Sequence, residues 1–312
     1  MEVLLNLLRV LRSKLFFGIE FLGFFLKFLT LAPFTCLINS LCRPYSNELA
    51  GKKAVVVCPS PDLNSYDFVP AVRDDYAVAF LNSACRSPLY LELRPEFLFL
   101  MDGAFLTDVS SEKGSQWKLP GIKATLERII TDTNWPLTLI VPLHFLHASG
   151  VQELTKNPNI QVKGLPHMPL DGPECQFRDI LLGAGLVTPR FMNVLSASIY
   201  FFLRSGCEKV YLWGAHHTWT RDNFVDFNNQ LMCTVRHSEY QLHNKPLLRP
   251  NGDSLRFATH LRQLSIVFQQ YHELHRMAGL NRQLVINATA DSFIDAFPRV
   301  ETIPLFKSIR EA

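Results

Sequence analysis

Histidine is the residue type in this sequence best suited to catalysis, because its pKa of about 6.5 lets it exchange protons near neutral pH. The chain contains ten histidines. His237 lies in an Arg-His-Ser-Glu-Tyr segment, His260 lies early in a long amphipathic stretch, and His216 and His217 follow an apolar run. These four are candidate bases or phosphate ligands. The alternative for each is a surface or packing histidine.

Polar side chains stand just past several other short apolar runs. If those runs are parallel strands, their carboxyl ends share one edge of a sheet, where ligands bind in open α/β folds. The residues in question are Ser60, Asn82, Asp102, His144 and Asn287. The alternative for Asn and Asp in such positions is helix capping. For Asp62 and Asp291 capping has at least as much weight as catalysis.

Several common catalytic signatures are missing. The sequence has no GxGxxG after its first apolar run and no GxxxxGK[ST], which disfavours ordinary dinucleotide-binding and P-loop sites. It has no GxSxG, which disfavours a serine hydrolase. A metal site from His216, His217, Asp222 and Asp226 is not favoured, because adjacent histidines point apart in most backbones. We therefore expect no metal and no resident cofactor.

The elements that would position these residues follow a strand–helix alternation. Buried strands are predicted at 54–58, 77–81, 97–101, 137–141, 210–213 and 284–286, and helices at 121–132, 177–182, 190–205 and 253–278. Phe257, Leu261, Leu264, Phe268 and Tyr271 mark the buried seam of the last of these helices, and a short helix is expected from about Asp291. The strands are continuously apolar, which predicts an α/β fold with a doubly wound, mostly parallel, Rossmann-like sheet.

Composition limits the classes of partner. The 312 residues carry 31 basic and 28 acidic side chains, and no basic stripe interleaved with aromatic residues is present, which excludes nucleic acid as an expected partner. The seven cysteines are scattered without a CxxC pair, as in reduced cytosolic proteins. We expect a Rossmann-like catalytic domain over 46–312, with a lid-like insertion at about 218–250 that is rich in Asn, His and Arg.

Residues 1–45 differ sharply from this domain. At about 100° per residue, nearly the whole helix circumference is apolar apart from one narrow polar stripe. Glu20 and Pro33 interrupt the apolar runs, which weakens a transmembrane interpretation. The pattern predicts an amphipathic, membrane-associated helical segment that lies on the bilayer surface. The alternative is a buried helical hairpin, and the two combine if the helix bridges protein and lipid.

The strand-end segments resemble a pattern found in bacterial surface-polysaccharide enzymes. In that pattern a G-x-G-P-S-L turn follows the first strand, Asn ends the next, and a later strand ends in G-x-D. Here residues 58–63 (CPSPDL) take the place of the turn, Asn82 and Asp102 match the strand-end positions, and residues 205–214 (SGCEKVYLWG) match the later strand, with His216 replacing the Asp. Over most of residues 52–300 the chain therefore resembles a divergent member of the small metal-independent sialyltransferases. It also resembles the related pterin-diphosphokinase-like group.

The resemblance implies a membrane-associated, inverting glycosyltransferase that uses a nucleotide-activated sugar, in particular a CMP-linked acidic sugar, in polysaccharide or glycolipid synthesis. His237 or His260 would be the general base. The residues expected to hold the nucleotide or donor are Ser60, Asn82, Asp102, His216, His217, Tyr240 and Asn287. The acceptor would be a glycan or a lipid-linked molecule at the cytoplasmic face of the bacterial inner membrane. The alternatives are a magnesium-dependent diphosphokinase and an inactive membrane-bound scaffold.

Overall fold

A computed structural model describes residues 14, 17–30, 49–60, 63, 66–107, 119–169, 175–218, 221, 223–233, 236–237, 240–241, 244–249 and 251–308. At 66–68, 70–72, 119, 236–237, 240–241 and 307–308 only the backbone is described. The strands are β1 Lys53–Val57, β2 Tyr66–Phe68, β3 Tyr76–Leu81, β4 Phe97–Phe99, β5 Leu137–Pro142, β6 Ile160–Leu165, β7 Lys209–Trp213, β8 Phe224–Val225, β9 Leu231–Cys233, β10 Arg236–His237, β11 Tyr240–Gln241, β12 Lys245–Pro246, β13 Leu284–Asn287 and β14 Phe306–Ser308. The helices are α1 (17–30), α2 Leu89–Leu93, α3 Leu119–Asp132, α4 Ser149–Leu154, α5 Gln176–Gly183, α6 Val194–Arg204 and α7 Phe257–Leu280.

Seven strands form one parallel sheet in the order β13-β7-β1-β3-β4-β5-β6. The chain builds from β1 outward to β6 and then returns to add β7 on the other side of β1. The topological switch point therefore lies between β1 and β7. The predicted α/β class and its mostly parallel sheet are confirmed.

Apolar side chains cover both faces of the sheet. In β1, Val56 belongs to the core beneath α6 and α7, whereas Val55 and Val57 belong to the core shared with α2, α3 and α4. Alternate residues of one strand thus enter two different cores. This is why the strands are continuously apolar rather than alternating in polarity.

Three expectations about secondary structure are corrected. The edge strand β6 was not predicted, because Gln161 and Lys163 interrupt its apolar pattern. No helix begins near Asp291; this segment is a turn followed by irregular chain, with Asp291 at φ 52°. The buried seam of α7 begins only at Leu264, since Phe257 and Leu261 are exposed.

Helix α1 packs against α5 by one of its faces. Phe24 is 2% exposed and clusters with Leu181 and Leu182 of α5, and its ring lies 6.1 Å from that of Phe177. A second, apolar face of α1 remains exposed; its members are Ile19, Leu22, Phe25, Leu26 and Leu29. At about 100° per residue these five positions span an arc of roughly 120°. Among the described residues, no helix is long and apolar enough to span a bilayer.

The predicted insertion is built from short antiparallel strands in the residues that the structure describes. β8, β9 and β12 form a three-stranded sheet, and β10 pairs with β11. The lid role of this segment remains a prediction.

Candidate active site at the ends of strands β1, β7 and β13

Ser60 and His216 meet at the switch point of the sheet. Ser60 lies in the turn after β1, and His216 lies three residues beyond the end of β7. Nε2 of His216 is 3.0 Å from the Ser60 hydroxyl. Ser60 is fully buried, whereas His216 is partly exposed. Ser60 therefore orients the imidazole, and His216 is the member of the pair that solvent or a ligand can reach.

Gly214 allows the two loops to approach this closely. Its φ is 74°, and a Cβ at this position would lie 2.7 Å from the Ser60 Cβ and 3.0 Å from the Cys58 carbonyl oxygen. Only glycine satisfies both the left-handed backbone and the short separation. The turn after β1, which contains Ser60, therefore packs directly against Gly214, the first residue after β7.

His217 is the buried neighbour of His216 and belongs to a polar cluster beneath it. The Tyr271 hydroxyl is 2.5 Å from Nε2 of His217, and the Asn193 amide nitrogen donates to that hydroxyl at 2.8 Å. Burial, helped by repulsion from His216, lowers the pKa of His217 to about 3. The imidazole is therefore neutral, and since burial also raises the pKa of Tyr271, the phenol proton points to Nε2.

The backbone conformation of His217 also indicates a functional site. Its φ of 54° is unusual for a residue other than glycine, and such conformations concentrate at functional sites. A neutral, fully engaged imidazole cannot serve as a base without breaking its bond to Tyr271. The hydrogen bond of His217 to Tyr271 instead fixes the position of the backbone next to His216.

The loop after β13 braces the β7 end from the other side. Thr289 Oγ1 accepts from the Ala215 N–H at 2.9 Å, and Ser292 Oγ donates to the Ala215 carbonyl at 2.6 Å. Asn287 is fully buried; its Oδ1 accepts from the Thr289 N–H, and its Nδ2 donates to the Ile294 carbonyl. Both polar atoms of the Asn287 side chain, which was predicted to bind the donor, therefore form hydrogen bonds with the loop that follows β13.

Asn82 and Asp102 lie beyond the ends of the next two strands. Asn82 follows β3, beside β1, with φ 46°, and its buried Oδ1 accepts no hydrogen bond from the described residues. Asp102 is exposed and accepts from the Ala104 N–H at 3.0 Å, capping the short helix Gly103–Phe105. Asn82 therefore keeps acceptor capacity at the switch-point edge, whereas Asp102 is used in part as a cap.

Of the two predicted bases, only His260 has a described side chain. His260 lies in the first turn of α7, and its Nε2 is 3.1 Å from the Asn223 amide nitrogen of the insertion. Partial burial lowers the pKa of His260. The side chains of His237 and Tyr240 lie outside the described residues, although their backbones pair between β10 and β11.

Sequence reasoning missed Asn193, Tyr271, Thr289 and Ser292 as parts of the site. Asn193 had a usable signal, since it precedes a small-residue helix and caps it through the Ser196 N–H at 2.8 Å. No cluster of three or more His, Cys, Asp or Glu side chains suited to a metal occurs in the described part of the chain.

Comparison with known proteins finds distant structural likenesses, among them two glycosyltransferases. No family model and no curated protein sequence matches the chain. A glycosyltransferase, MAf, from Magnetospirillum magneticum AMB-1 is similar over 86% of this chain and 36% of its own, with 13% identity and a TM-score of 0.46. The sialyltransferase CstII from Campylobacter jejuni, in complex with the substrate analogue cytidine-5'-monophosphate, is similar over 83% of this chain and 90% of its own, with 10% identity and a TM-score of 0.35. The chain thus spans little more than a third of the first of these proteins.

Proposed function

We propose that this protein is a glycosyltransferase that binds a nucleotide-activated sugar, in particular a CMP-linked acidic sugar, at the edge between β1 and β7. The observation that carries the proposal is the Ser60–His216 hydrogen bond across the switch point. In parallel α/β sheets ligands bind at this edge. A partly exposed imidazole there, held by a buried hydroxyl, is suited to donate to a phosphate oxygen.

The neighbouring residues supply the remaining contacts in this proposal. The Asn82 Oδ1, which is buried in this structure, would accept from a ribose hydroxyl or a base amino group when the surrounding chain opens to admit the donor. Asp102, which is exposed, accepts from a second hydroxyl. Tyr240 donates to the leaving phosphate. His217 contributes indirectly, since it is engaged by Tyr271 and fixes the chain beside His216. Because hydrogen-bond donors meet the phosphate charge, this mechanism needs no metal.

Transfer requires a base that removes the proton of the acceptor hydroxyl as that oxygen attacks the anomeric carbon and the nucleotide leaves. His260 and His237 are the two candidates. The lowered pKa of His260 keeps its imidazole neutral at neutral pH, and Nε2 of His260 can accept the proton once the Asn223 amide moves away from it. Its bond to Asn223 also links α7 to the insertion, which we propose closes over the bound donor.

The acceptor in this proposal is a glycan or a lipid-linked molecule at the cytoplasmic face of the bacterial inner membrane. Residues 1–45 would hold the enzyme there. The support is the second face of α1, where Ile19, Leu22, Phe25, Leu26 and Leu29 stay exposed while Phe24 packs on α5. A helix that is apolar on both the protein side and the solvent side fits an interface between protein and lipid.

The test is to incubate the purified protein with CMP-, UDP- and GDP-linked sugars, with and without EDTA, and to measure nucleotide release. We expect EDTA-resistant turnover of a CMP-linked sugar. His216→Ala should weaken donor binding, and His260→Ala or His237→Ala should lower turnover by about 10²–10⁴-fold. Turnover of ATP that requires Mg²⁺ would instead support a diphosphokinase, and absence of nucleotide binding would support a scaffold. Intact transfer in both the His237 and His260 variants would contradict the proposed chemistry.

A further inference from the structure

A groove on the outer side of α7 lies next to the proposed donor site. It has a volume of about 510 Å³ and is lined by Ser265, Phe268, Gln269, His272, Phe293 and Asp295. The groove is shallow and open to solvent, so a ligand there would keep part of its surface in water.

The groove is joined to the donor site through its inner wall. The Phe293 N–H donates to the His216 carbonyl at 2.8 Å, and the Phe268 ring centroid lies 6.3 Å from that of His217. A molecule in the groove therefore borders the chain segment that presents the His216 imidazole.

The loop wall of the groove is rigidly held. Ile294 is fully buried, and the residues on either side of it, Phe293 and Asp295, point outward. Arg299 donates to the carbonyl oxygens of Ser292 and Ile294. The exposed ring and carboxylate are thus presented from a braced backbone, so that little ordering entropy is lost when a ligand binds.

The chemistry of the lining selects a class of ligand. Two phenylalanine rings provide apolar surface, and an amide, a hydroxyl, an imidazole and a carboxylate surround them. The six lining residues include no lysine or arginine, and the Asp295 carboxylate, 3.3 Å from His272, is 75% exposed. Arg221 lies nearby, with its guanidinium carbon over one face of the Phe293 ring at 5.4 Å from the centroid, so a sugar would use the other face of that ring. A neutral, hydroxyl-rich ring with one apolar C–H face matches this surface; a phosphate does not.

We infer that this groove binds the acceptor sugar as a neutral pyranose that packs against Phe268 and Phe293 while its hydroxyls bond to Gln269 and Asp295. Its role as the acceptor site rests on the proposed function, whereas its affinity for carbohydrate does not. The acceptor would then lie on the side of His216 away from β1.

The experiment is saturation-transfer NMR on the full chain with the methyl glycosides of glucose, galactose, mannose and N-acetylglucosamine at millimolar concentration. We expect at least one to bind, with about tenfold weaker affinity in Phe293→Ala and a smaller loss in Gln269→Ala. The matched control is Phe257→Ala, which removes an equally exposed phenylalanine, 43% against 41%, elsewhere on α7. CMP binding, measured in parallel, should not change in any of the three variants.

The outcomes separate the groove from the proposed function. Glycoside binding that depends on Phe293, without turnover of any nucleotide sugar, would support the carbohydrate site and contradict the transferase. Transfer with the same acceptor KM in Phe293→Ala, Gln269→Ala and Phe257→Ala would overturn the groove assignment and leave the transferase standing. Because Gln269 is exposed, its variant remains informative if Phe293→Ala fails to fold. Lack of binding by all four glycosides would also overturn the assignment.

Discussion

The Tyr271 hydroxyl and the His217 imidazole share a buried hydrogen bond of 2.5 Å that joins helix α7 to the end of strand β7. Asn193, at the start of α6, donates to the same hydroxyl. Three elements that are distant in sequence therefore meet at the Tyr271 hydroxyl. Burial keeps the histidine of this contact neutral, and this has a measurable consequence for stability.

Protein stability should fall as pH drops from about 6.5 toward 3 because of His217. Its pKa is about 3 in the folded protein and 6.5 in the unfolded chain, so the unfolded chain binds more protons across this window. The free energy of unfolding therefore decreases by up to roughly 1.4 kcal/mol per pH unit from this group, and its contribution is complete above pH 6.5.

The measurement is urea denaturation at several pH values, in the wild type and in His217→Gln. Glutamine accepts a hydrogen bond but does not titrate, so its profile should be flatter between pH 4 and 6.5. Parallel profiles would show that His217 does not titrate as the buried contact requires.

Gly214→Ala should destabilise the protein by more than the cost of a left-handed backbone alone. The matched control is Gly51→Ala, because Gly51 has the same φ of 74° but no atom within 4 Å of its added Cβ. We expect about 1–2 kcal/mol for Gly51→Ala and about 1–3 kcal/mol more for Gly214→Ala, where the methyl group meets Ser60. Denaturation midpoints measure this difference, and equal losses would mean that the Ser60 loop yields without cost.

Arg178→Met should be strongly destabilising. Arg178 of α5 and Glu273 of α7 form an ion pair at 2.7 Å, with side chains only 10% and 7% exposed. Removing the arginine leaves a buried carboxylate, which costs about 3–5 kcal/mol. Lys156→Met is the control, since its pair with Glu153 is exposed and is worth less than about 1 kcal/mol. Thermal denaturation distinguishes the two, and similar losses would argue that the α5–α7 contact is open to water.

Replacing Leu22, Leu26 and Leu29 by Asn should strongly weaken vesicle binding without unfolding the domain. These side chains are exposed, so we expect the free energy of unfolding to change little. Burying each in lipid contributes on the order of 1 kcal/mol or more, so the bound fraction should fall at least about tenfold. Cosedimentation with phosphatidylglycerol vesicles measures this.

Two further variants control that experiment. Glu20→Gln, at a position about 100° outside the exposed apolar arc of α1, should bind vesicles at least as well as the wild type. Phe24→Ala should mainly lower stability, because Phe24 packs on α5. If the triple variant cosediments unchanged, α1 does not hold the protein on the membrane.

Local patterns were enough to predict most of the sheet. Five of its seven strands are apolar on both sides because two cores enclose them, and that pattern is visible in the sequence. Strand β6 lies at the edge of the sheet, where Gln161 can face solvent, so its pattern is weaker. The helix expected at Asp291 is absent because Ser292 and Phe293 bond instead to the backbone of residues 215–216.

The site was predictable only in part, because some of its residues are far apart in the sequence. Ser60 and His216 were identifiable because each follows a strand. Tyr271 and Asn193, 78 residues apart, meet only because α6 and α7 pack side by side on one face of the sheet. Helical periodicity marks Tyr271 as buried, but it does not indicate that a hydroxyl at that depth faces a histidine. Polar contacts of this kind depend on the three-dimensional arrangement.

The order of strands also sets a timetable for synthesis. β1 leaves the ribosome well before its neighbour β7, since 156 residues separate Ser60 from His216. At about 5–20 residues per second, translation leaves one side of β1 unpaired for on the order of ten seconds. During that interval the nascent chain exposes the apolar strand β1, whose N–H and C=O groups on one side lack a partner strand. Such an edge promotes aggregation. Truncated translation products that end before β7 should therefore be targets for chaperones and proteases.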